Sequence, residues 1–358
     1  MSFPNLLIIV LDTMRLDIFK SLEEKNMKLE KLGFINLNNG IAPSSWTLPS
    51  HASLFTGEYP SIHKAHETLK IKSHDIDKIR LKSKTFVSKL NKIGYTSYAI
   101  SANPYVSPKY GFSDFDYFYD ETFFIDIFRK FQKESKFISK FEEIKYKSIM
   151  KWPIEKGGKN IIKNIIKTDF NKPYFLFINL MEVHDPYLGI IDKDMNNLTF
   201  FKKILPTNEL VTTWKNLYFK AAKMAYFYSV KIAEYMLNKY GENNFIVITS
   251  DHGQCFGENN FFGHGTFLYD ELIKIPISIK FPEKQNQNIN KVGYTSLVNI
   301  KSLLFDVIKS RQNPLNNFIK KSVYSQSFGI PGNIKFSKEI DIKKIIKYDK
   351  KKLRTLKV

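Results

Sequence analysis

Asp12, Thr47, Asp251 and His252 are the residues best suited to chemistry, and they come from three well-separated stretches. Asp12 follows the apolar run Leu6-Leu7-Ile8-Ile9-Val10-Leu11. Asp251 and His252, in Ser250-Asp251-His252-Gly253, follow a second apolar run, Phe245-Ile246-Val247-Ile248-Thr249. Thr47 opens Thr47-Leu48-Pro49-Ser50-His51, a Pro-marked turn before Ala52-Ser53-Leu54-Phe55-Thr56-Gly57. Two carboxylates offer hard oxygen ligands and an imidazole offers a borderline nitrogen. That mixture suits Mn²⁺, Zn²⁺ or Mg²⁺, and Ca²⁺ less well. With a hydroxyl beside it, such a cation could aim a nucleophile at an anionic ester. Each residue also has a plainer use. Asp12 could cap the next helix, His252 could be a satisfied core imidazole, and Thr47 could be an N-cap. Their joint placement favours a site. Thr47 could serve as cap and nucleophile together, because a helix N-terminus also attracts an anion.

The elements that must position these residues are readable. Short apolar runs at Leu6 to Leu11, Thr96 to Ile100, Tyr174 to Asn179, Phe245 to Thr249 and Ile275 to Lys280 read as strands. Helix-like periodicity lies between them. Ser83 is expected to cap a helix running through Leu90 to Ile93 and ended by Gly94; Trp214 to Tyr240 is a second helix, ended by Gly241. Strands alternating with helices imply a three-layer α/β/α sandwich with a mostly parallel central sheet. Ligands in such folds bind beyond the carboxyl ends of strands, where Asp12 and Asp251 fall.

The rest of the chain sets bounds. Its 358 residues, 43% of them hydrophobic, are enough for one large α/β domain, alone or with a small appendage. The single cysteine, Cys255, excludes an internal disulfide framework and fits a reducing compartment. Met1-Ser2-Phe3-Pro4-Asn5 carries no basic leader or cleavage site, and no apolar run approaches the ~20 residues of a spanning helix. A cytoplasmic location is therefore expected, with peripheral membrane contact left open. The net charge of +20 favours anionic partners, or else reflects a Lys-, Ile- and Asn-rich composition. Phe124, Ile127, Phe128, Phe131, Ile138 and Phe141 form an apolar stripe opposite Lys130, Lys133, Lys136 and Lys140. It reads as a packed helix with a solvated basic face, or more sharply as a basic lid or membrane-surface helix. A loop is expected after Pro282, and Ile340 to Val358 reads as a partly ordered basic tail.

The chain resembles the sulfatase and alkaline phosphatase superfamily from near its start to about Pro282. The matching blocks fall in order: Val10 to Arg15, Ala42 to Gly57, Gly94-Tyr95, Asn103-Pro104, Met181-Glu182-Val183-His184-Asp185-Pro186-Tyr187, and Asp251-His252-Gly253 with Gly257-Glu258 and Gly263-His264-Gly265. The resemblance implies an alkaline-phosphatase-like fold. It implies a catalytic domain over residues 1–285, carrying a helical basic insertion at about 118–170, with residues 286–358 extending the same domain. It also implies that Asp12, Thr47, Asp251 and His252 share one metal, with Ca²⁺ kept open because some sulfatases bind it with a similar set.

Thr47 falls where the family places its nucleophile, but sulfatases use Cys or Ser there, in Cys/Ser-x-Pro-x-Arg, converted to formylglycine. This chain has Thr, and His51 replaces the Arg. A threonine ester cannot expel its group by elimination, so water must attack it, a path suited to phosphorus. The segment resembles the Thr-Phe-Pro-Asn-His turn of nucleotide pyrophosphatase/phosphodiesterases. Thr is also the nucleophile of lipoteichoic acid synthase-like phosphoglycerol transferases.

Ser50, His51 and Asn103 are candidates for contacting substrate, Asn103 being equally readable as a turn residue before Pro104. His184 and His264 could protonate the leaving oxygen. Glu182, His184 and His264 could instead hold a second metal. His63 and His66 read as solvated loop residues. The leading expectation is a metal-dependent hydrolase of phosphate esters acting through Thr47. The alternatives are a formylglycine-independent sulfatase, a transferase moving a phospho-substituent onto a glycan or lipid, and a non-catalytic anion-binding protein. Nucleic acid is set aside as a partner.

Overall fold

The computed structural model describes residues 3–67, 79–122, 155–185, 208–283, 292–329 and 355–358. Eight strands form the central sheet: β1 (Asn5–Leu11), β2 (Ile35–Ile41), β3 (Thr96–Ser101), β4 (Tyr117–Asp120), β5 (Tyr174–Leu180), β6 (Asn244–Thr249), β9 (Lys274–Lys280) and β10 (Thr295–Ser296). Their order is β10-β2-β9-β6-β1-β5-β3-β4. All pairs in this sheet are parallel except those that β9 makes with β2 and β6; β7 (Cys255–Phe256) and β8 (Phe262–Gly263) form a separate antiparallel pair. The five strands read from sequence are all present, each one residue longer at one end.

β1 lies at the centre and every residue in it is buried. A strand buried on both faces needs apolar residues at every position, which is why its sequence runs unbroken rather than alternating. Leu6, Ile8 and Val10 face one core, shared with the helices Thr47–Thr56 and Ile300–Ile308. Leu7, Ile9 and Leu11 face the other, shared with the helices Leu16–Asn26, Gly158–Lys167 and Asn208–Tyr240. Two helical layers on one sheet make the expected α/β/α sandwich.

The helix expected to begin at Ser83 runs over Val87–Lys92. Its N-cap is Phe86, and the polar support expected of Ser83 comes from Thr85. Its hydroxyl accepts the Val87 N–H at 3.2 Å and is fixed by donating to Asp114 at 2.7 Å. The long helix begins at Asn208 and ends at Tyr240, before Gly241 at φ 83°, a left-handed conformation that costs glycine nothing. No helix among the described residues is long and apolar enough to cross a membrane.

Within the expected basic tail the last residues form an element. Thr355–Lys357 is a strand, β12, paired antiparallel with β11 (Tyr324–Gln326). Val358 exchanges two backbone hydrogen bonds with Val323 and packs on a small core that includes Ile41, Cys255 and Leu272. Three residues among many lysines give too short a signal to read as a strand. The stripe from Phe124 to Phe141, the loop after Glu283 and most of Ile340 to Val358 lie outside the described residues.

Candidate active site

The parallel strands end along one edge of the sheet, and each then delivers polar residues to the same place. β1 is followed by Asp12, β3 by Asn103, β5 by the stretch Met181 to Asp185, and β6 by Ser250, Asp251 and His252. The register brings them together, since Val10 lies between Asn179 on β5 and Thr249 on β6.

Asp12, Asp251 and His252 have no exposed surface, and one ligand atom from each lies within 4.8 Å of the others. Their arrangement is fixed from outside. Thr13, a β-branched residue held at φ 63°, donates its N–H to Asp251 Oδ1 at 3.1 Å. That backbone conformation is unusual for threonine and marks a place where geometry outweighs local preference. The Ser250 hydroxyl accepts the Met14 N–H at 2.9 Å and donates to the His252 carbonyl at 2.7 Å, stitching β1 to β6. Gly253 is needed because a Cβ there would stand 2.0 Å from the Glu271 carbonyl oxygen. Asn103 and Asn179 both donate to Asp12 Oδ2, at 2.7 and 3.3 Å.

Asp12 Oδ1 and Asp251 Oδ2 remain buried without a hydrogen-bond partner. Burial, and then their mutual repulsion, pushes the Asp12 carboxyl up. Burial likewise raises Asp251. Two buried carboxylates with orphaned oxygens are costly unless a cation faces them. His252 meets the same requirement. With Nδ1–H directed at the Gly253 carbonyl, 2.9 Å away, Nε2 points a lone pair at the carboxylates, 3.4 Å from Asp251 and 3.9 Å from Asp12. Burial lowers its pKa to about 4, so the imidazole is neutral, as a metal ligand must be. The residues present therefore fit a divalent cation.

Thr47 is the first residue of the helix Thr47–Thr56, and its hydroxyl lies 3.4 Å from His252 Nε2. The site thus unites the four residues singled out from sequence. His51, expected to contact substrate, is fully buried behind the carboxylates. Its Nδ1 sits 3.0 Å from the Thr47 carbonyl and 3.5 Å from Asp251, and Asn179 approaches its Nε2 at 3.3 Å. Ser50 is also buried and donates to the Ser44 carbonyl at 3.0 Å. Asn103 likewise spends its amide on Asp12. All three brace the site from within the protein.

A second group adjoins the first. His184, Asp185 and His264 bring ligand atoms within 4.8 Å of one another, and the His252 and His264 rings are 4.6 Å apart. Burial alone would lower His184, but Asp185, 2.8 Å from its Nδ1, raises it to about 9. Burial and the neighbouring imidazoles hold His264 well below its usual value. Glu182 does not join this group. Its carboxylate accepts the N–H of Gly158 at 2.8 Å, at the start of the helix Gly158–Lys167. Asp185, three residues further on, takes the place expected for it. Gln254, 2.6 Å from His264 Nδ1, and Asn179 are further site residues missed from sequence. Asn179 stood in plain view as the polar residue inside an apolar strand. His63 and His66, expected to be solvated, are buried; His63 Nε2 meets the Ser53 hydroxyl at 3.0 Å.

Sheet order, layering and the strand-end site define an alkaline-phosphatase-like protein. The chain belongs to the sulfatase family, whose model, described as "Sulfatase", matches residues 4–308. Over 79 residues it is 28% identical to "Uncharacterized sulfatase YidJ" of Escherichia coli (strain K12), a stretch making up 22% of this chain and 16% of that protein. Among solved structures it is similar to the C-terminal periplasmic domain of EptC from Escherichia coli in complex with Zn, at TM-score 0.60 and 12% identity, covering 95% of this chain and 92% of that one. It is similar to a phosphonate monoester hydrolase from Silicibacter pomeroyi, at TM-score 0.63 and 13% identity, covering 90% and 79%. The soluble domain of lipooligosaccharide phosphoethanolamine transferase A from Neisseria meningitidis matches at TM-score 0.53 and 14% identity, covering 89% and 93%. At these identities the likeness is one of fold.

Proposed function

We propose that the protein is a metal-dependent hydrolase of phosphate esters, with Thr47 as nucleophile and a covalent Thr47 ester as intermediate. The observation that carries this reading is the Thr47 hydroxyl at the start of a buried helix, beside His252 and two carboxylates with orphaned oxygens. Asp12, Asp251 and His252, with the Thr47 oxygen, would hold one divalent cation, for which Mn²⁺, Zn²⁺, Mg²⁺ and Ca²⁺ are the candidates. The Zn complex of the fold neighbour supports Zn²⁺. Such a cation, when bound, lowers the pKa of a coordinated hydroxyl and neutralises charge on the transferring group.

The chain's own residues supply the remaining chemistry. Thr47 Oγ1 gives up its proton to solvent and forms a bond to phosphorus as the bond to the leaving oxygen breaks. His184, held protonated by Asp185, gives its Nε2 proton to that oxygen. His264, held neutral, takes a proton from the water that attacks phosphorus; as phosphate leaves, that proton passes to Thr47 Oγ1, and His184 is reprotonated from solvent. Environments that push two neighbouring imidazoles apart in pKa are those expected of an acid and a base. The absence of Cys or Ser at position 47 supports phosphorus over sulfur.

Transfer of a phospho-substituent to a glycan or lipid is the second reading, favoured by the transferase fold neighbour. The net charge of +20 supports an anionic substrate in either case, and contact with an anionic membrane surface. A panel of nitrophenyl phosphate, phosphodiester, phosphonate and sulfate substrates, run with each metal, tests the proposal. Phosphoester turnover well above sulfate turnover is expected, with Thr47→Ala folded and inactive. A sulfate preference would favour the formylglycine-independent sulfatase. Turnover by Thr47→Ala above about a tenth of wild type would remove Thr47 from the nucleophile role.

A further inference from the structure

The start of the nucleophile helix is tied to the C-terminal part of the chain through one buried carboxylate. Glu67 is 2% exposed. Its Oε2 accepts the indole N–H of Trp46 at 2.6 Å, and its Oε1 accepts the backbone N–H of Phe328 at 2.9 Å. Trp46 is itself buried and immediately precedes Thr47. At φ −157° and ψ 166° it is the extended residue from which the helix springs. Its ring meets Tyr105 edge-on at 6.3 Å. The Tyr105 N–H donates to Asn103 Oδ1 at 2.8 Å, and Asn103 holds Asp12. Glu67 therefore connects to both sides of the site, to Thr47 through one peptide and to Asp12 through Tyr105 and Asn103.

The Phe328 end is equally well tied. Ser327 donates to the Thr266 carbonyl at 2.7 Å, two residues beyond His264. Gln326 N–H donates to the Pro43 carbonyl at 2.8 Å, on the approach to Trp46. His66 lies flat on the Phe328 ring, 3.8 Å centroid to centroid. Residues 326–328 thus bridge the segment that leads into Thr47 and the loop that carries His264, with the buried Glu67 carboxyl at the crossing.

We propose that Glu67 is a positioning residue for the reaction at Thr47. Acting through Trp46 it fixes where the nucleophile helix begins, and acting through Phe328 it holds residues 326–328 across the two site loops. The inference rests on Thr47 being the nucleophile. Its physical basis is the fork itself. A carboxylate accepts an N–H on each oxygen, so both partners are held in one geometry. Glutamine has nearly the same volume but only one accepting oxygen. In Glu67→Gln, one of the two N–H groups must face an NH₂. The fork is broken without opening a cavity, and the start of the helix is free to shift. A displacement of about 1 Å at a reacting atom can cost on the order of a hundredfold in rate.

The experiment compares wild type, Glu67→Gln, Trp46→Phe, the double variant and Thr47→Ala on the best nitrophenyl ester of the panel, with the metal that supports it. Circular dichroism and thermal unfolding are measured for each, and assays are run well below every unfolding temperature. Thr47→Ala should be inactive. Glu67→Gln should lose about ten- to a hundredfold in kcat with KM changed less than about twofold. Trp46→Phe should show a similar split. The double variant should be no worse than the poorer single one, because both changes cut the same link. Losses that multiply in the double variant, or a Glu67→Gln kcat within about twofold of wild type, would overturn the positioning role and leave Thr47 as nucleophile. A Glu67→Gln variant that does not fold, beside a folded Trp46→Phe with wild-type kcat, would also overturn it. Turnover by Thr47→Ala, or none by wild type, would sink the nucleophile reading and this inference with it.

Discussion

Asp12, Asp251 and His252 stand at the ends of β1 and β6 with no exposed surface, while His184 and Asp185 lie just beyond β5 with side chains 21% exposed. The first group is braced by Thr13, Asn103, Asn179, Ser250 and Gly253, each contributing a bond or a close approach. Among the described residues the second is held by the His184–Asp185 pair, by Gln254 and by Lys156, whose Nζ donates to the His184 carbonyl at 2.6 Å. A rigid, orphaned pair of carboxylates suits a tightly held cation. Partly open imidazoles of unequal pKa suit proton transfer to and from groups that come and go. In the proposed mechanism metal binding falls to the first half and proton traffic to the second.

Removing the metal half should have the largest effect. Asp251→Ala is expected to lose the bound cation by elemental analysis, and turnover should fall by more than the 10–100-fold typical of residues that only support ligands. Asp185→Asn should keep one ion per chain. If wild type carries two ions and Asp185→Asn carries one, the two halves are both metal sites and the contrast fails.

A medium effect should appear in the pH profile. His184 is the acid only while protonated, and its pKa is raised to about 9. Turnover should therefore hold through neutral pH and fall as pH rises past about 9. Removing the Asp185 charge removes what raises that pKa, so in Asp185→Asn the falling limb should move to lower pH. An unmoved limb would show that His184 is not the group titrating.

The smallest effect concerns the surface. The net charge of +20 should draw the protein to anionic vesicles, with binding that weakens as salt screens exposed charges beyond about 10 Å at 0.1 M. Turnover of a small nitrophenyl ester should change less over the same salt range. Vesicle binding that ignores salt would make the charge a matter of composition.

Legibility from sequence follows the same divide. The strands were readable because burial on both faces demands unbroken apolar runs, and Asp12 and Asp251 were readable because they end such runs. Thr47 was readable because Pro49 marks its turn and because the family resemblance singles out its position. Three of the bracing residues were not. Asn179 lies inside a strand run, Gln254 lies next to a motif without belonging to it, and Glu67 follows the short helix Pro60–His63 with no local pattern. Their roles depend on contacts between residues far apart in the chain, such as the 128 positions separating Asn179 from His51. His51 and Ser50 were recognised as site residues, but not their inward-facing partners. Spacing alone does not reveal which way a side chain on a wholly buried helix will turn.

The central claim is that Thr47 attacks the ester and carries the phosphoryl group. Its most direct test is to quench wild-type enzyme in acid during turnover of a nitrophenyl phosphate and map the modified peptides by mass spectrometry. Partial phosphorylation at Thr47 is expected, absent before substrate is added and absent from Thr47→Ala. A phosphoryl group found on another residue, or turnover with a burst of nitrophenol and no modified Thr47 at any quench time, would contradict it.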